Sequence, residues 1–348
     1  MQELSGVDAI VGVNDRDRIL KAVLSEKRVT MCSSTPAGVK DEGRFRLTPR
    51  HTAYLRLAEG CSQRCTFCTI PAIRGPFRSK RPSQVMREAR ELVADGAGEL
   101  NLIAQDTTAY GADLGDVDLA DIIRKLGKIE NLRWIRLMYT YPMRFSDKLI
   151  ETIATTDKVV PYVDIPLQHI SDPILKRMGR RSTRAQVETL LEKLRLSIPN
   201  VTIRTAFIVG FPGEEEAHFE ELLKFVKDFR FDALGVFEYS PEHGTSAARM
   251  KNQVSDDEKH RRAKEIMRLQ RRIAFAANRR RVGERIEVVV DGKDPEDRCF
   301  ARHAGQAPEI DGVCLLTKRR QTGQWLTGEV VGSQGYDLVV EPVTSQRR

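Results

Sequence analysis

The sequence predicts an α/β protein in which a parallel sheet built from six strand–helix repeats is followed by a small all-β barrel. Short apolar runs alternate with amphipathic stretches from about residue 53 to residue 238. A single long helical pattern then runs from Ser255 to about Arg281. Beyond Gly283 the chain changes to short strands broken by glycine-bearing turns.

The six strands are expected at Ala53–Ala58, Glu99–Ala104, Trp134–Met138, Val159–Ile165, Val201–Val209 and Ala233–Glu238. Each is short, rich in branched or aliphatic residues and bounded by polar or turn residues, as buried parallel strands are. Between them lie helical patterns: one opened by Pro82-Ser83 with Val85, Ala89, Leu92 and Val93 on one face, then Asp118–Leu126, Ser146–Ala154, Thr183–Leu196 and Glu214–Phe229. Six such units form either a partial (βα) barrel or an open sheet, and periodicity does not separate the two. In both, ligands sit at the C-terminal ends of the strands. Ser255-Asp256-Asp257-Glu258 is a strong helix start, and Arg279-Arg280-Arg281 place cations at the favourable end. Residues 255–284 carry ten Lys/Arg against five Asp/Glu, which suits a solvated linking helix or, alternatively, a face toward RNA or the ribosome. Five short strands follow, at Arg285–Val290, Arg298–His303, Val313–Leu316, Leu326–Val331 and Asp337–Val340.

Composition bounds the function. With 41% hydrophobic and 30% charged residues the chain is ordinary for a globular protein. No apolar run approaches the roughly 18 residues needed to span a bilayer, and the first residues have no secretory pattern, so a cytoplasmic protein with no membrane partner is expected. The net charge of +8 points to an acidic partner such as RNA or a ribosomal particle. Six cysteines are too few for a disulfide scaffold, yet Cys61, Cys65 and Cys68 crowd together while Cys32, Cys299 and Cys314 stand apart.

The spacing C-x3-C-x2-C lets one flexible loop wrap an iron–sulfur cube with three thiolates, leaving one iron open. Zinc competes, but a closed zinc site needs a fourth ligand. Only Cys32, His51 or His169 could supply it, none at conventional local spacing. The loop follows the first strand, where chemistry is expected.

This spacing, with Phe67 just before the third cysteine, resembles the radical S-adenosylmethionine (SAM) superfamily. The resemblance implies a partial (βα)6 barrel and a 4Fe-4S cluster on Cys61, Cys65 and Cys68. The open iron chelates SAM, and an electron then releases a 5′-deoxyadenosyl radical. The stretches Cys68–Pro82, Leu102–Thr107, Asp164–His169, Phe207–Glu214 and Tyr239–Thr245 are similar to the methylthiotransferase family within it. Its C-terminal module is a TRAM barrel, OB-like in form. Three segments, Ile135–Pro142, Leu102–Asp106 and Ala307–Gly312, resemble the branch that modifies the β-carbon of an aspartate in a small-subunit ribosomal protein. The alternatives are the branch acting on isopentenyl-adenosine in tRNA and, from another class, a non-catalytic metal-stabilised RNA-binding protein. By the resemblance, Phe67, Gln105, Asp106, Gln168 and Gly210 contact SAM, His169 has no more than a supporting place, and no catalytic side chain is assigned. A flavodoxin or ferredoxin is the expected electron donor. Positive charge from Arg64, Arg74, Arg78, Lys80 and Arg81 surrounds the loop, to attract an acidic substrate or neutralise the cluster.

Members of this family begin with a further domain whose three cysteines hold a second 4Fe-4S cluster. Here Gly6–Gly12 is similar to the last strand of that domain, and Cys32 alone does not replace three ligands. The expectation is a chain lacking most of that domain, which binds one cluster and cleaves SAM without completing methylthiolation. Its expected divisions are 1–40 (remnant), 48–250 (partial barrel), 251–282 (basic linker helix) and 283–346 (TRAM barrel).

Overall fold

The computed structural model describes residues 6–33, 46–47 and 49–343, so the outer ends of the expected 1–40 and 283–346 segments lie outside the described residues. Six strands form one parallel sheet: β1 (Thr52–Arg56), β2 (Glu99–Ile103), β3 (Trp134–Leu137), β4 (Val159–Asp164), β5 (Thr202–Val209) and β6 (Ala233–Glu238). They lie side by side in chain order, with β1 and β6 as unpaired edges. Right-handed crossovers that always advance one strand in the same direction place every helix on one face, so the sheet curls into an open half-barrel. The helices on that face are α1 (Pro82–Ala94), α2 (Leu119–Leu126), α3 (Asp147–Thr155), α4 (Arg184–Ser197) and α5 (Glu216–Phe229).

Local signals set these helix starts. Pro82 occupies the first turn of α1, where its missing N–H costs nothing. Capping boxes open α2 (Asp118 with Asp121) and α4 (Thr183 with Gln186). Alternation along the strands sends Leu100, Leu102, Ile135, Leu137, Ile203 and Phe207 outward against Val85, Ile122, Leu149, Leu191 and Phe225, which together make the main core. The opposite, concave face carries Glu99, Asn101, Trp134, Arg136 and Tyr162, all buried.

Helix α6 (Asp256–Arg280), capped by Ser255, packs on β6 and leads into a closed barrel of β7 (Arg285–Lys293), β8 (Cys299–His303), β9 (Cys314–Leu316), β10 (Trp325–Gln334) and β11 (Asp337–Pro342). β7 and β10 run longer than the sequence suggests, because register shifts between Val290 and Gly292 and between Val330 and Gly332 let one strand bend and continue. The chain also contains pieces too short for periodicity to reveal. Strand Ala9–Val11 pairs in parallel with Val29–Met31, and short helices occupy Ile70–Arg74 and Asp172–Arg177. No helix among the described residues is long and apolar enough to cross a membrane.

The small barrel seats against the lower concave face of the sheet. The ring of Trp325 on β10 meets Trp134 on β3 edge-on at 4.6 Å. Beside it lies a buried ion network. Glu99 accepts from Arg136 Nε at 3.0 Å and from Arg302 Nη2 at 2.8 Å, and Arg302 Nε also reaches Asp291 Oδ2 at 2.6 Å. Arg136 Nη1 crosses to the backbone oxygen of Ala304 at 2.7 Å. Burial alone would raise the Glu99 pKa, but Arg302 and Arg136 overcome it and hold the carboxyl at about 2. Replacement by Gln leaves the buried Arg136 guanidinium without a carboxylate and Arg302 with Asp291 alone, so Glu99→Gln is expected to cost about 3–5 kcal/mol in denaturant unfolding. Since the folded pKa is depressed, the stabilisation is complete above about pH 4.3 and lost as pH falls through about 2. The acid limb of a melting-temperature profile should therefore flatten in Glu99→Gln.

Candidate active site

The cysteine loop begins where the chain leaves the sheet. After β1, Leu57 N–H still bonds Ile103 O at 2.9 Å, and then Ala58–Glu59 pairs antiparallel with Arg78–Ser79, closing the base of the loop. Gly60 sits at φ +81°, and a Cβ there would lie 2.6 Å from Gly75 O, so only glycine permits this start. Cys61 N–H donates to Gly75 O at 3.1 Å, and Cys68 N–H to Cys65 O at 3.2 Å. The far side of the loop is pinned by Thr66, whose N–H bonds Met178 O at 2.9 Å and whose hydroxyl bonds Arg177 O at 2.8 Å. The loop thus hangs between the first strand and the segment after β4.

All three thiols line one cavity of about 370 Å³ at the C-terminal ends of β1–β4. Burial pushes the Cys61 and Cys68 thiols up from their ordinary pKa. Arg180 stands beside them, with Nη1 3.7 Å from Cys65 Sγ, Nη2 bonded to Pro166 O at 2.8 Å and its guanidinium 4.3 Å from the Tyr141 ring centroid. Among the described residues, no three His, Cys, Asp or Glu side chains converge closely enough to hold a single metal ion. The place of the three thiols around one cavity suits a cluster several atoms across, whereas a closed tetrahedral zinc site would need a fourth ligand. The zinc ligands considered from sequence are also elsewhere. Cys32 is exposed, and His51 Nε2 is 2.8 Å from Asp291 Oδ1 at the junction with the small barrel.

Four of the five predicted SAM contacts, Phe67, Gln105, Asp106 and Gln168, line this cavity with the cysteines. Gln105 Oε1 is buried and has no hydrogen-bond partner. Gln168 holds φ +71° while its N–H and C=O remain tied to Ala206 and Ile208 on β5. Asp106 is largely spent on structure: it accepts from Thr108 Oγ1 at 2.8 Å, Ala109 N at 3.2 Å and Gln63 Nε2 at 2.9 Å, the last anchoring the cysteine loop. Phe67 packs toward Phe211, with ring centroids 6.4 Å apart. Gly210 is not a lining residue. Its φ of +69° and missing Cβ admit the Lys259 side chain of α6, whose Cγ a Cβ would strike. His169 is likewise apart from the cavity. Burial, with His218 and Arg262, pushes its pKa down to about 3, and its Nδ1 accepts from Ser171 N at 3.0 Å. Of the loop cations, Lys80 is buried against Glu88, and Arg74 is 3.5 Å from Glu59; Arg64 is exposed.

Sequence reasoning missed Arg180 and the lining residues Tyr139, Thr140 and Tyr141. The three-residue stretch follows β3, so the strand-end rule could have included it; Arg180, in an irregular turn, carries no periodic signal. Tyr139, at φ +57°, is a second non-glycine in left-handed backbone at a strand end of the cavity.

The Radical SAM superfamily model matches residues 55–226, and the TRAM domain model matches residues 282–343. With the thiol-lined cavity at the mouth of a parallel half-barrel, the match makes the protein a radical SAM enzyme. The ribosomal protein uS12 methylthiotransferase RimO of Geotalea uraniireducens is 45% identical to it, an alignment covering 99% of this chain and 79% of that one. Those of Geobacter sulfurreducens (46%, covering 99% and 79%) and Clostridium kluyveri (42%, covering 97% and 78%) are similar to it in the same way. The chain belongs to this methylthiotransferase family.

Left-handed backbone at Gln168 predicts its own test. Gln168→Gly should raise stability by up to about 1 kcal/mol, and Gln168→Val should lower it, when thermal unfolding is compared.

Proposed function

We propose that this chain is a methylthiotransferase acting at the β-carbon of an aspartate in ribosomal protein uS12, that it binds SAM and one 4Fe-4S cluster on Cys61, Cys65 and Cys68, and that the methylthio group reaches that carbon only when a thiolate such as methanethiolate supplies the sulfur. The observation that carries the reading is the gathering of three thiols around one cavity in a chain of this family. When bound, a cube with one open iron supplies a coordination site for SAM and the electron that cleaves its sulfonium.

The residues divide the remaining work. Gln105, with its unpartnered buried oxygen, accepts a hydrogen bond from the amino group of SAM, and Gln168 contacts the ribose. Phe67, Tyr139 and Tyr141 wall the cavity against water. Asp106 acts through Gln63 to hold the loop, and Gly210 acts by admitting Lys259. Arg180 sets positive charge beside the anionic thiolates. A flavodoxin or ferredoxin supplies electrons, and the protein works in the cytoplasm. We divide the chain into a partial barrel (48–250), a linker helix (251–282) and a TRAM barrel (283–346), with residues 1–40 before them.

Anaerobic reconstitution should yield a brown protein with about four irons per chain, lost in Cys65→Ala. With dithionite and SAM it should release 5′-deoxyadenosine. Mass spectrometry of uS12, free or in the small subunit, should then find a methylthio group in place of one aspartate hydrogen when methanethiolate is supplied as the sulfur donor, the hydrogen leaving in 5′-deoxyadenosine. A colourless zinc protein that leaves SAM intact would sink the reading, and methylthiolation of isopentenyl-adenosine in tRNA alone would transfer it to the other branch. Gln105→Leu separates binding from folding. Removing an unpartnered acceptor should leave stability unchanged, while the dissociation constant for SAM, measured by equilibrium dialysis, rises about tenfold, the worth of one hydrogen bond.

A further inference from the structure

Helix α6 has two unlike faces. Ile266, Gln270, Ile273 and Ala274 are buried against the sheet and the small barrel. From Ile266 to Gly283 there is no Asp or Glu, yet the stretch contains six arginines. At about 100° per residue, Lys264, Arg268, Arg271, Arg272 and Arg279 fall within one arc of about 100°, with Phe275 among them. All five cations are exposed, and none has a carboxylate partner among the described residues. Two neighbouring cations contrast with them. Arg261 is held by Glu216, Glu258 and Glu265, and Arg281 by Glu284 and the His303 ring. The fold neutralises Arg261 and Arg281 and leaves the ridge between them charged.

An aromatic ring is fixed beside this ridge. Tyr336, in the turn between β10 and β11, is 45% exposed and meets Phe275 edge-on at 5.2 Å. Asn278 Nδ2 ties that turn to the helix, donating to Gly335 O at 3.1 Å and Tyr336 O at 3.0 Å. Along the same flank a cavity of about 560 Å³ opens between α6, the sheet and the small barrel, lined by Tyr336, Asn278, Arg281 and Gln270 among others. Gln270 is 1% exposed, and its Oε1 has no hydrogen-bond partner.

We propose that α6 and the Tyr336 turn form a binding strip for single-stranded RNA. The cations neutralise successive phosphates along about 22 Å of helix, and the Tyr336 ring offers a base a stacking surface. A merely solvated helix face would intersperse acids among its bases. An acidic peptide would make no use of a ring anchored beside the arginines, whereas base–aromatic stacking combined with a cationic track is how single strands are held. The strip lies outside the thiol-lined cavity, so this inference stands independently of the reading of that cavity.

Fluorescence anisotropy of a labelled mixed-sequence RNA of about 20 nucleotides, long enough for one such site, tests it on the reconstituted protein. Five phosphate contacts predict a slope of log K against log salt near about −3.5. Arg268→Glu/Arg271→Glu/Arg272→Glu should lessen the slope by about 2 and weaken binding at least about 100-fold. Tyr336→Leu should weaken it about tenfold with the slope unchanged. Both variants should melt like the parent and still cleave SAM. If the charge reversal unfolds the helix, Arg268→Gln/Arg271→Gln/Arg272→Gln gives the same slope change without repulsion. Unaltered RNA binding in the triple variant overturns the proposal. So does equal competition by polyglutamate together with no effect of Tyr336→Leu, which would make the strip an acidic-protein surface.

Discussion

The carboxylate of Glu99 is the point on which the two barrels depend. It lies at the start of a central strand, is wholly buried, and serves Arg136 from its own sheet and Arg302 from the small barrel. Charges this deep are tolerated only when every one is paired and hydrogen-bonded. Thr52 and Asp291 extend the pairing. A network of this kind contributes modest net stability but penalises any other seating of the small barrel. The concave face is thereby split: its lower half is filled by the second barrel, and its upper rim is left to the cysteine loop.

At that rim, the backbone is held in conformations that ordinary side chains avoid. Gln168 and Tyr139 both adopt left-handed backbone at strand ends, and each is retained by hydrogen bonds to a neighbouring strand or to Asp164. Such strain persists only where the surroundings over-determine it. The cysteine loop is fastened at both flanks, by Gly75 on one side and Met178 on the other. Three thiols on eight residues of irregular chain are therefore positioned before any ligand arrives, which limits the ordering cost of binding.

How much of this was legible in the sequence follows the range of each interaction. The thiol triad was, because its spacing is local and a single loop builds it. The strand ends Gln105 and Gln168 were, because alternation and length place strand ends without knowledge of the partners. The half-barrel itself came from the family resemblance, since the order of strands is not written in their periodicity. Gly210 was expected to contact SAM and His169 to have no more than a supporting place, and the surroundings of both are set by α6 and Glu214, distant in sequence. The Glu99 network joins residues up to 203 positions apart, and no local pattern marks Arg302 or Arg180 as anything but surface cations.

Among the described residues the sheet is not closed between β1 and β6, and the edge strand β6 leaves Phe237 60% exposed. A vessel with an open side cannot keep solvent from its own contents. A reaction run there needs the wall completed from outside, and a folded macromolecule docking at the gap would do so with its own surface. Substrate and lid would then be one object, and the reactive state would be shielded only while the correct partner is seated.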